Sequence, residues 1–184
     1  MKDSGKALVL RVDAKVCKID LDGEIHSLPL RGRLFEKRSY EKRPIAVGDW
    51  VKVHLDEDGG AIEEVLPRTS ALARRSSGEG DRRQVLAANI SLVLVVASTR
   101  EPPFQNDIVD RILAGAEREG IAGGVVFTKM DRDKKGAIQP WIELYRSLGY
   151  PVFPTSIAPG KEIPESLQQI KDLLHEADTQ QLAG

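Results

Sequence analysis

The chain has 184 residues, 41% of them hydrophobic and 30% charged, and a formal net charge of −1. That composition can bury a core in one domain or two small ones and carries no overall bias toward polyanions or lipid. The single cysteine, Cys17, excludes an internal disulfide framework and a Cys-rich zinc site. No apolar run reaches membrane-spanning length and the opening Met1-Lys2-Asp3-Ser4 is not laid out as a signal peptide, so a cytoplasmic location without membrane contact is expected.

Residues 6–12 and 15–20 mix apolar and polar positions with partial alternation, and Asp22-Gly23 makes a tight hairpin turn before 24–28. Residues 47–53 and 61–66 read as a turn plus strand and a further strand, separated by the turn 56–60 and stopped by Pro67. Five short strands with no helix-period segment predict a β barrel of the OB type over residues 1–66. Between Arg31 and Arg43 lie six basic residues and two acidic ones, with Phe35 and Tyr40 among them. Arg31, Arg33, Lys37, Arg38 and Arg43 are therefore candidate RNA-binding residues, because such barrels grip single-stranded nucleic acid with cations and aromatics. The competing reading is that these cations are the barrel's solvated surface. Trp50 and Cys17 are expected to pack in the core.

Residues 67–88 read as an arginine-rich linker. From Arg68 to Arg83 there are five arginines and two acids around a Ser-Ser-Gly centre, with too little apolar sequence to fold alone. Either it is a mobile tether, or an arm whose Arg74 and Arg75 lie on a polyanion.

From residue 89 to 184 the character changes. Residues 90–98 are almost continuously apolar, as in a strand buried on both faces. Phe104-Gln105-Asn106-Asp107 offers a helix cap, and Ile108, Val109, Ile112, Leu113 and Ala116 form a helical stripe. A strand at 123–128, a helix through Ile138, Trp141, Ile142, Tyr145 and Leu148, a strand at 150–154 and a helix from Pro164 to near Ala177 complete a βαβαβα order. This predicts an α/β parallel sheet covered by helices, with ligands at the carboxyl ends of its strands. Thr128-Lys129-Met130-Asp131 and Thr155-Ser156-Ile157 both fall at such ends. The stem of Lys129 can lie along a flat purine, and the Asp131 carboxylate can accept two parallel hydrogen bonds from the N1–H and N2–H₂ edge of guanine. Adenine has no N1 donor to offer it. His26, His54 and His175 show no metal-like spacing, and Asp131 and Asp133 read as a solvated loop rather than a cation site.

Taken together, the chain resembles the circularly permuted ribosome-assembly GTPases of the RsgA (YjeQ) type. The likeness is carried by Val47-Gly48-Asp49-Trp50-Val51, Leu66-Pro67-Arg68, Gln84 to Ile90, Asp110-Arg111, Thr128-Lys129-Met130-Asp131, Leu148 to Val152, and Thr155-Ser156. It implies an OB barrel, a partial three-layer GTPase-type sheet, binding to the small ribosomal subunit and its 16S rRNA, and GTP or GDP as ligand. It further implies that Thr128, Lys129, Met130 and Asp131 form the guanine-recognition loop, with Thr155, Ser156 and Ile157 as the second loop and backbone contacts from Ser156 and Ile157. Thr128 stands where Asn is more usual, a swap expected to weaken the loop's anchoring. Ile157 stands where Ala is usual, and is expected to crowd the pocket.

No Gly-x-x-x-x-Gly-Lys-Ser/Thr occurs in the 184 residues. The resemblance puts that phosphate-binding loop directly after the last helix, so the chain is expected to be the N-terminal portion of a longer protein. Magnesium and zinc would belong to the remainder, and this portion would recognise guanine without hydrolysing GTP. No metal ligand and no catalytic residue is assigned here. The missing neighbour would also leave strand 90–98 as an uncharged open edge, available for self-association. The alternative is a non-enzymatic RNA- or ribosome-binding module.

Overall fold

The computed structural model describes residues 3–14, 16–32, 44–56, 59–75 and 83–182. The chain divides into two compact units, residues 1–90 and 91–184. Arg33, Lys37, Arg38 and Arg43 lie outside the described residues.

In the first unit, β1 (Asp3–Val12), β2 (Val16–Leu21), β3 (Glu24–Pro29), β4 (Trp50–Leu55) and β5 (Ala61–Val65) form one antiparallel sheet in the order β3-β2-β1-β4-β5. The β2–β3 turn is the expected hairpin: Asp22 and Gly23 both have positive φ, and the Gly23 N–H donates to the Asp20 carboxylate at 2.8 Å. The sheet curls until its two outer strands meet through a parallel bridge between Leu30 and Ile62, where the Arg31 N–H donates to the Ile62 carbonyl. Alternation supplies the core. Ala7, Val9, Cys17, Ile19, Val51, Val53 and Ile62 point inward, while Lys52, between Val51 and Val53, points outward to Glu64 at 2.9 Å. Trp50 corrects the expectation of a core residue. It is half-buried, outside the apolar cluster, with the Lys6 ammonium 4.2 Å from its ring centroid. Its parity explains this, since Val51 and Val53 take the inward positions of β4.

The described part of the segment read as a tether or an arginine arm includes strands. Residues Ala71–Arg75 (β6) and Arg83–Ala88 (β7) pair as an antiparallel hairpin. Three contacts hold it and its flanks to the sheet's connecting loop. The Ala88 N–H donates to the Val47 carbonyl at 2.9 Å. Asn89 gives its amide to the Gly48 carbonyl and accepts the Thr69 N–H, each at 2.8 Å. Arg68 grips the fully buried Asp49 in a two-pronged ion pair, Nε to Oδ1 at 2.6 Å and Nη2 to Oδ2 at 2.8 Å, and the Ala46 N–H adds a third bond. Gly48 is required there: its φ is +85°, and a Cβ would lie 2.1 Å from the Ala88 carbonyl oxygen. Neighbouring polar groups, rather than an apolar face, order this segment.

In the second unit, β8 (Leu92–Ser98), β9 (Ala122–Thr128) and β10 (Val152–Pro154) form a parallel sheet in the order β10-β9-β8. Helices α1 (Asn106–Arg118), α2 (Gln139–Ser147) and α3 (Pro164–Leu182) follow the three strands in turn. α3 runs past Ala177, where the sequence pattern placed its end. Val109 and Leu113 of α1, and Ile142 and Tyr145 of α2 with Ile138 just before it, pack with Val95, Val125, Phe127 and Val152. Gly123 and Gly124 permit the close fit, since a Cβ at either would approach Leu113 or Leu94 to within 3 Å. The first residue of the α1 stripe, Ile108, and the last of the α2 stripe, Leu148, are exposed. The helix that starts at Asn106 has no side-chain cap, so the expected capping sequence is not used as one. β8 is an outer strand of this sheet, and its Val96 is 67% exposed. Among the described residues no helix is long and apolar enough to cross a membrane.

Candidate functional site

The carboxyl ends of β8, β9 and β10 end in register, because Ser98 pairs with Thr128 and Pro154 with Phe127. The residues after each strand therefore converge. A cleft of about 460 Å³ lies there, lined by Thr128, Lys129, Asp131, Arg132, Thr155, Ser156, Ile157 and Ala158.

The turn after β9 is tightly built. Lys129 has the left-handed φ of +59°, and a single 3₁₀ turn, Met130–Arg132, follows it. The reversal swings the Asp131 carboxylate back to the cleft, where Oδ1 accepts the Ser156 hydroxyl at 3.0 Å. Ser156 is almost fully buried, and its oxygen also accepts the Ala158 N–H at 3.2 Å. Thr155, equally buried, bonds the Phe127 carbonyl through both its N–H and its hydroxyl, while its own carbonyl accepts the Met130 N–H. The two loops are thus locked to each other. Asp131 keeps Oδ2 and a second lone pair on Oδ1 for a ligand.

The Lys129 side chain crosses to the loop after β8, donating to the Arg100 and Glu101 carbonyls at 3.2 and 2.6 Å. Lys129 also lines the cleft, where its methylene stem can serve as an apolar rail for one face of a planar ring. Arg132 stands at the rim in an exposed ion pair with Glu101 at 2.5 Å. Asp133 is occupied in the loop itself, accepting the Ala137 and Ile138 N–H groups at 2.9 and 3.0 Å.

Six of the seven residues expected around a guanine therefore line one cleft. Met130 does not; it packs against the apolar core behind the turn. Ile157 lines the cleft and is 84% exposed. Sequence reasoning missed Arg132, Ala158 and the 99–101 loop. No motif marked them: Arg132 enters with the turn that follows Lys129, Ala158 is held by the Ser156 hydroxyl, and the Arg100 and Glu101 carbonyls are reached by the Lys129 ammonium. Of the candidate RNA contacts, Arg31 pairs with Glu63 at 3.1 Å and Arg74 bonds Gln84 at 3.3 Å, both largely exposed, and Arg75 ends β6.

The fold and cleft define a class: an α/β parallel-sheet domain that presents a hydrogen-bonded carboxylate and a lysine at adjoining strand ends. Comparison with known proteins narrows it. A family model described as RsgA GTPase matches residues 65–184, and the chain belongs to that family. It is similar to the small ribosomal subunit biogenesis GTPase RsgA of Bacteroides fragilis, at 30% identity over 82% of this chain and 50% of that protein. RsgA 2 of Bacteroides thetaiotaomicron is 32% identical over 76% of this chain and 46% of its own length. The chain spans about half the length of the curated relatives it matches. Among solved structures, YjeQ from Thermotoga maritima aligns with a TM-score of 0.64 and 27% identity, covering 91% of this chain and 57% of that one. YloQ, described as a circularly permuted GTPase, aligns at 0.56 and 26%, covering 84% and 52%.

Proposed function

We propose that this chain is the guanine-recognising and ribosome-binding part of a small-subunit biogenesis GTPase, and that by itself it selects guanine without hydrolysing GTP. One observation carries the reading: the Ser156 hydroxyl holds Asp131 at a strand-end cleft beside the Lys129 stem. A carboxylate so fixed accepts N1–H and N2–H₂ together, and charge-assisted bonds of that kind contribute about 1.5–3 kcal/mol each. GTP supplies the phosphoryl group when bound. This chain's residues bind and orient its base. Phosphoryl transfer depends on a cradle for the phosphates and magnesium, and the Gly-x-x-x-x-Gly-Lys-Ser/Thr pattern that builds one is absent from the sequence.

Titrating the ¹⁵N-labelled chain with GDP and ADP tests the first half. GDP is expected to shift amides at 128–132 and 155–158 while ADP leaves them unmoved; equal responses would overturn guanine selection. Phosphate release from GTP above background would overturn the second half.

A non-enzymatic role in RNA or ribosome binding has its own support in the first unit. Its curled antiparallel sheet, with β3 and β5 joined in parallel across the ends, supports the reading of an OB barrel. Arg31, Arg33, Lys37, Arg38, Arg43, Arg74 and Arg75 are its proposed contacts to 16S rRNA, in a cytoplasmic setting. Small-subunit affinity should then fall steeply with salt and not depend on nucleotide. Unchanged affinity after replacing Arg31, Arg33, Arg38 and Arg43 with Ala would sink it.

A further inference from the structure

Lys129 occupies a backbone conformation that a residue with a Cβ adopts only when its surroundings hold it there. Thr128 is not the holder, because its hydroxyl crosses to β8 and donates to the Ala97 carbonyl at 3.3 Å, away from the turn. Thr99 is placed differently. It is 8% exposed, and its N–H donates to the Thr128 carbonyl at 3.1 Å while its hydroxyl donates to the Lys129 carbonyl at 2.7 Å. That same Lys129 oxygen accepts the Arg132 N–H at 2.9 Å, the bond that closes the turn carrying Asp131. From the other side, the Lys129 ammonium reaches the carbonyls of the two residues after Thr99. The loop after β8 therefore grips Lys129 by its main chain and its side chain at once. Thr99 itself does not line the cleft.

We propose that Thr99 is the positioning residue of the base-recognition loop: its hydroxyl fixes the left-handed turn at Lys129, and so sets where the Asp131 carboxylate meets the purine edge. This rests on the guanine reading above and adds to it a determinant of specificity. A displaced Asp131 loses the paired geometry first. Discrimination between guanine and hypoxanthine, which lacks the 2-amino group, is therefore the quantity Thr99 governs.

Thr99→Val keeps the shape and removes the donor; Thr99→Ser keeps the donor. GDP and IDP affinities are compared by ¹⁵N titration of wild type and both variants. Thr99→Val is expected to bind GDP about tenfold more weakly, the loss of roughly one hydrogen bond, with a reduced GDP-over-IDP preference, and Thr99→Ser to recover both. Without ligand, the Arg132 amide should exchange with solvent faster in Thr99→Val alone. An unchanged GDP-over-IDP preference in Thr99→Val overturns the specificity role. If the wild-type chain binds no GDP, the guanine reading falls by itself, and an unchanged Arg132 exchange rate in Thr99→Val still overturns the positioning.

Discussion

Both units bury polar side chains, and they use them differently. In residues 1–90 the buried groups are Asp49 and Asn89, and they bind the chain to itself: Asp49 to Arg68 and the Ala46 N–H, Asn89 to Gly48 and Thr69. In residues 91–184 Thr99, Thr155 and Ser156 sit together at strand ends, and the network they build terminates in a carboxylate with acceptor capacity to spare. Buried hydrogen-bonding capacity that is consumed internally marks architecture. Capacity that leads to a half-used group in a cleft marks a site.

The largest effect expected from breaking this contrast is on stability in the first unit. Asp49→Ala removes the buried carboxylate that Arg68 grips with two prongs, and about 3–5 kcal/mol should be lost in urea denaturation. Pairing it with Arg68→Met should recover much of that, as removal of both charges from a buried pair generally does. In the second unit the equivalent change should spare the fold and strike binding. Asp131→Asn is expected to weaken GDP binding 10- to 100-fold, the loss of at least one charge-assisted bond, with a thermal midpoint within about 2 °C of wild type. A drop in stability comparable to that of Asp49→Ala would erase the distinction.

Cys17 sharpens it through pH. Burial in the apolar sheet, with the negative charges of Asp13 and Asp49 adding to it, pushes the thiol up to about 11 from 9.0. The fold thus favours the neutral thiol. This contribution is complete below pH 9 and is lost as pH rises through about 11. Urea midpoints measured over that interval should fall more steeply for wild type than for Cys17→Ala. The smallest effect is at the exposed face of β8. Val96→Lys should change stability by no more than about 0.5 kcal/mol. If the outer strand mediates the self-association expected from the sequence, Val96→Lys should also abolish any concentration dependence that sedimentation measures for the wild type. A wild-type chain monomeric at all concentrations would remove that edge as an interface.

Much of this was legible in the residues. The apolar run of β8, the stripes on α1 and α2, the Asp22-Gly23 turn and the Thr-Lys-x-Asp loop each follow from local pattern. Trp50 defied expectation because bulk suggested burial while strand parity turned it outward. The β6–β7 hairpin escaped because Ala-Leu-Ala-Arg-Arg and Arg-Gln-Val-Leu-Ala-Ala show no regular alternation to read, and their flanks are tied by pairs far apart in sequence, Arg68 to Asp49 and Asn89 to Gly48. Thr99 was invisible for the same reason. Nothing about a threonine at a strand end announces a partner 30 positions later whose backbone is left-handed.

The bridge between Leu30 and Ile62 has a practical consequence. A sheet whose first and last margins are joined there leaves a passing strand fewer backbone groups to capture, and residues 1–90 carry their own apolar interior. That segment should therefore tolerate transplantation: expressed without the other unit, or fused to an unrelated carrier, it should stay dispersed in solution.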